Sequence, residues 1–238
     1  MKDSELSRLS VLHGSWLEHW VRALVPLLIY VLLSYGLMAL MPIAIDFGDD
    51  VTDVYAWGTI AICVVFVFWY GKVSFEWTND LGQLSWREAV ALIVLTACIC
   101  LLSVWITQTF NMQKTIELTP LACIGIAIAM PVLQEIVFRG FLFTRLAHLV
   151  NVPGAMILSS LAFAFNFAGA GQMIYAFIMG VVMSALLYRF RTLWIPIVAH
   201  VLLSMVAYVG AYFEVTAAVA VLCVGAAVVS GWWLYKTR

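Results

Sequence analysis

Eight apolar runs succeed one another along this chain, at about residues 23 to 45, 54 to 70, 88 to 107, 119 to 150, 155 to 167, 173 to 188, 193 to 212 and 215 to 235. A helix that crosses a bilayer needs roughly 17 to 25 largely apolar residues, so these runs predict an all-α, polytopic membrane protein of about eight transmembrane helices. The runs at 155 to 167 and 173 to 188 are short, and the AGAGQ break between them is a candidate membrane-buried turn. Composition closes off the soluble alternative. With 65% hydrophobic and 11% charged residues, the chain falls well below the about 25% charge of an ordinary soluble domain. No clustered Lys and Arg make a nucleic-acid footprint. The five cysteines all fall inside apolar runs with no CxxC spacing and read as small core residues.

Neither repeats nor linker composition divide the chain, which reads as one membrane domain from 23 to 238 preceded by an interfacial segment, 1 to 22. In that segment Leu9, Leu12, Trp16 and Trp20 recur at helical spacing with charges between, the pattern of an amphipathic helix lying on the bilayer surface. The first apolar run is too long for a signal-peptide h-region, so no cleavable leader is expected. If eight helices alternate from a cytoplasmic N-terminus, eleven of the twelve Lys and Arg collect on the inner side and only Lys114 on the outer. The positive-inside rule therefore predicts an integral, multi-pass protein with both termini cytoplasmic.

The fourth run carries an acid and a base, Glu135 and Arg139, in PVLQEIVFRG. Charges at such depth cost about 2.5 to 3.5 kcal/mol each on insertion scales, so they mark a functional site by default; the bland alternative is a structural ion pair. Four residues apart, they share a helix face with the acid on the favoured N-terminal side. Pro131, one turn before Glu135, is expected to bend this long helix. At about 1.5 Å per residue, Glu135 lies roughly 24 Å from the outer end of its run and His200 about 10 Å in from the inner side. Their levels coincide. Ser204 shares a face with His200, Asn166 closes the fifth run, and together these predict an intramembrane polar cavity.

These residues resemble the CAAX-protease and bacteriocin-processing family, also called Abi, of intramembrane peptidases, over about residues 119 to 210. The family's EExxxR followed by Gly is matched by Gln134, Glu135, Arg139 and Gly140; its FxxxH by Phe163 to Phe167; its His with Asn or Asp four later by His200 and Ser204. The resemblance implies a site at Gln134, Glu135, Arg139, Asn166, Phe167, His200 and Ser204 and a bacterial inner membrane as its place; no metal or other cofactor is expected, since Glu135 and His200 alone fall short of three protein ligands. It also implies a membrane protein or peptide as substrate. Two departures bear on chemistry: Gln134 stands where the family's water-activating Glu is found, and Phe167 where its assisting His is found. An amide is no base and a benzyl ring has no lone pair; Ser204 in place of Asn keeps a hydrogen-bond donor. Two functions follow as expectations. The first is an intramembrane endopeptidase, impaired or inactive as written, with Glu135 and His200 as a reduced catalytic set. The second is a non-catalytic relative that holds a membrane segment or peptide as scaffold, chaperone or immunity factor.

Overall fold

A computed structural model of the chain describes residues 16–46, 51–73, 85–110, 119–209 and 214–236. Those residues form eight helices and no strand: α1 (Trp16–Asp46), α2 (Val51–Val73), α3 (Trp86–Thr109), α4 (Pro120–Leu149), α5 (Val152–Ala164), α6 (Ala170–Phe190), α7 (Trp194–Val209) and α8 (Ala217–Lys236). Each apolar run thus becomes one helix. Six are long and apolar enough to cross a membrane, while α5 and α7 are shorter. Most of the surface segment expected at 1 to 22 lies outside the described residues; its last part, 16 to 22, forms the first two turns of α1.

Helix starts follow local chemistry. Ser85 and Glu88 form a reciprocal capping box at α3, the Thr119 hydroxyl accepts from the Ala122 N–H at α4, and the Asn151 side chain accepts from the Gly154 N–H at α5. Pro120 and Pro153 occupy first-turn positions, where a missing N–H leaves no bond unmade. Between α5 and α6 the chain turns through Gly169 at φ +96°, a conformation that a Cβ would strain.

The long helix α4 is the pillar of the fold. Residues 133–147 are buried without interruption, so this half of the helix faces protein on every side while its neighbours keep a lipid-facing stripe. Around it stand α1, α2, α5, α6 and α7; α3 and α8 pair with each other, and α3 also packs on α7. Pro131 does not interrupt α4. The turns before it, Cys123–Ala129, widen to π-helical geometry, with the Met130 N–H bonded to the Gly125 carbonyl five residues back, and this absorbs the ring and its missing donor. A second π-helical stretch, Ile136–Phe143, carries Arg139. Close backbone contact fixes α4 against α2: a Cβ on Gly125 would lie 2.5 Å from Cα of Ala56. Small residues at such crossings are how membrane helices gain packing without a hydrophobic drive.

Contacts between helix ends agree with alternating directions. The Thr119 hydroxyl donates to the Asp53 carboxylate, and the Val215 N–H donates to the Gln108 side-chain carbonyl at 3.1 Å. At opposite ends of these helices, Arg189 pairs with Glu88 at 2.6 Å and donates to the Leu234 carbonyl at 2.8 Å, while His19 stacks on His148. Every one of these contacts joins ends that an up-and-down chain brings to the same side.

Candidate active site

Glu135 and Arg139 sit on successive turns of α4, both with no solvent exposure. The spacing puts Arg139 Nη1 3.2 Å from Glu135 Oε1. From α7, His200 brings Nδ1 to 2.7 Å from the same oxygen. A buried carboxylate is stable only when paired and hydrogen-bonded, and here one cation and one imidazole converge on it. Arg139 then ties α4 to α6, since its Nη2 donates to the Gly180 carbonyl at 3.1 Å. Gly180 also lets α6 lie close against α5: a Cβ there would stand 2.8 Å from the Ser160 Cβ. Glu135 Oε2 has no hydrogen-bond partner among the described residues.

Phe163 of α5 joins the cluster from below the guanidinium. Arg139 Cζ lies 4.6 Å from its ring centroid, and the Phe163 ring also meets the rings of Phe138 (5.4 Å), His200 (5.7 Å) and Phe167 (5.3 Å) in edge-to-face geometry. A desolvated cation over an aromatic face gains about 2 kcal/mol, which offsets part of the cost of burying Arg139. The short helices explain how these groups meet. At 13 and 16 residues, α5 and α7 reach only about 20 and 24 Å, less than the roughly 30 Å hydrocarbon core.

The other expected site residues divide. Gln134 is buried beside Glu135. Phe167 is half-buried and seated on Phe163. Asn166 is exposed and turned back on its own helix, donating from Nδ2 to the carbonyls of Ala162 (3.2 Å) and Phe163 (3.0 Å), so it caps α5 and does not reach Glu135. Ser204 is half-buried one turn beyond His200. Two participants escaped the sequence reading as site residues: Phe163 and Gly180. Of these, only Phe163 carried a signal, as the first residue of the motif that ends at Phe167.

Whenever the Glu135 carboxylate is ionised it can only accept, so His200 Nδ1 is then the donor, and a neutral ring in that state holds its lone pair at Nε2. A carboxylate thus orients an imidazole whose other nitrogen is basic, the arrangement that activates nucleophiles in hydrolases.

Fold and site together define an all-α polytopic membrane protein with a buried Glu–Arg–His cluster held by four helices. Residues 116–206, which span α4 to most of α7 and contain the whole cluster, match the family described as Type II CAAX prenyl endopeptidase Rce1-like. The protein named "Putative membrane peptidase YdiL" of Bacillus subtilis (strain 168) is 30% identical over 97 residues, 41% of this chain and 40% of that protein. The match therefore spans two fifths of that relative. No solved structure matches significantly. The two matches support the CAAX-protease and bacteriocin-processing (Abi) family for this membrane core.

Proposed function

We propose that the chain is an intramembrane endopeptidase of the CAAX-protease type, weakened by Gln134 and Phe167, that acts on a membrane-proximal peptide bond through Glu135 and His200. The observation that carries this reading is the 2.7 Å contact between Glu135 Oε1 and His200 Nδ1. In the reaction, His200 Nε2 takes a proton from water as its oxygen attacks the carbonyl carbon, and Glu135 steadies the imidazolium. The same proton passes to the departing amine nitrogen as the C–N bond breaks. Arg139 balances the carboxylate, and the Ser204 hydroxyl is the donor nearest His200 along α7 for the developing oxyanion. The test is incubation of the reconstituted chain with membrane-spanning peptides and mass spectrometry of the products. Slow cleavage is expected, falling by about 10² or more in both Glu135→Gln and His200→Gln; cleavage indifferent to both changes would remove the dyad from the mechanism.

A second reading, a non-catalytic binder of membrane segments or peptides, is favoured by one observation. Phe167, one of the two departures, packs on the Phe163 ring, and Gln134, the other, is buried. Tight peptide binding with no product from the unaltered chain is its expected signature.

The proposed orientation places both termini in the cytoplasm, with Glu135 in the inner half of the membrane. Reporter fusions after Asp50 and after Arg191 are expected to report opposite sides, the first outside. Both on one side would reject eight alternating crossings.

A further inference from the structure

Away from the Glu135 cluster, a groove of about 460 Å³ runs between α3, α5, α6 and α8. Leu95, Met156, Val182, Leu186 and Gly231 make its apolar walls, and Arg189 lies in the wall at one end. Its size selects among occupants. A helix about 10 Å across would sink only partly into that volume, whereas a single extended hydrocarbon chain can lie within it.

Charge selects further. Arg189 is fixed in place by the Leu234 carbonyl (2.8 Å) and Glu88 (2.6 Å). Around the same helix ends stand Arg87, stacked over Trp86, Lys236, stacked over Trp232, and Arg191, exposed where α6 ends in a left-handed residue at φ 55°. Among the described residues these four cations face one acid, Glu88, a rim of net charge about +3. Exposed tryptophans lie at the level of lipid headgroups, and Trp86 and Trp232 put the rim there. The larger groove between α3 and α7, about 610 Å³, has no charged residue in its lining and discriminates between no lipids.

The geometry points to a specific site for one anionic phospholipid, with an acyl chain along the α3–α5–α6–α8 groove and the phosphate against the Arg191 and Lys236 rim. A zwitterionic headgroup would bring its own ammonium to the same rim. Basic pockets between transmembrane helices bind acidic headgroups on this principle. The inference stands apart from the peptidase reading, since none of these residues belongs to the Glu135 cluster.

Two variants separate chain from headgroup. Gly231 lines the groove, and a Cβ built there meets nothing within 4 Å, so Gly231→Leu fills the slot without displacing the fold. Arg191→Gln with Lys236→Gln removes two rim charges from exposed positions. Full-length protein would be stripped of lipid in mild detergent and titrated with phosphatidylglycerol or phosphatidylcholine of the same chains, with bound lipid counted by native mass spectrometry. The unaltered chain is expected to hold one phosphatidylglycerol in preference to phosphatidylcholine. The double charge variant should weaken phosphatidylglycerol about thirtyfold, near fivefold per charge, and Gly231→Leu should abolish retention at an unchanged melting temperature. Equal retention of both lipids by the unaltered chain, or phosphatidylglycerol binding within twofold of it in either variant, overturns the site.

Discussion

Gln134→Glu combined with Phe167→His is expected to raise hydrolysis of a membrane-proximal peptide by about 10² to 10⁴ over the unaltered chain. Each change supplies one missing part: a carboxylate able to take a proton from water, and a ring nitrogen able to hold and orient it. The surroundings are ready for both. Gln134 is buried next to Glu135, and a carboxylate there has the shape of the amide it replaces. Phe167 touches Phe163, which in turn touches His200, so an imidazole at 167 enters an aromatic chain that already ends on the His200 ring. The single changes should give far less than half the logarithmic gain, because groups that act on one water are strongly non-additive. Turnover would be read by mass spectrometry of peptides in bilayers. A double variant that binds peptide and yields no product would instead support the binding protein, with a cavity that two residues do not repair.

The architecture was largely legible before any coordinates. Eight hydrophobic runs became eight helices because a bilayer forces backbone hydrogen bonds inward, which leaves length and polarity as the main variables. The pairing of Glu135 with Arg139 followed from spacing, and the meeting with His200 from depth along two helices, because rise per residue converts sequence position into height. Height, however, says nothing of rotation. Asn166 stands at the end of α5 as expected, yet it turns outward and bonds its own carbonyls, since a helix end with unmet acceptors competes for an amide. Gly180 contributes through a backbone carbonyl that any residue type possesses, so no side-chain pattern pointed to it. Phe163 read as a motif letter and turned out to be the ring on which Arg139, His200, Phe138 and Phe167 converge. At Pro131, where a bend was expected, the preceding turns widen to π-helical geometry, and the helix continues past the ring.

Arg139→Ala is expected to cost about 3 to 5 kcal/mol, seen as a large fall in the melting midpoint of the detergent-extracted protein. The loss has three parts. Glu135, fully buried, keeps only His200 as a partner; the Gly180 carbonyl loses the donor that ties α6 to α4; and the Phe163 face loses its cation. A cavity adds to this, because Arg139 is among the largest fully buried side chains of the chain. Arg139→Met separates the contributions, since it keeps most of the stem volume and removes only charge and donors. If stranded charge dominates, Arg139→Met should remain strongly destabilised, and adding Glu135→Gln should recover much of the loss, because a neutral amide at depth needs no counter-ion. If packing dominates, Arg139→Met alone should approach the unaltered chain and the second change should do nothing. Unchanged melting in both Arg139 variants would mean that water reaches the pair. The interhelical tie through Gly180 would then contribute nothing measurable, and Glu135 would be held by His200 alone.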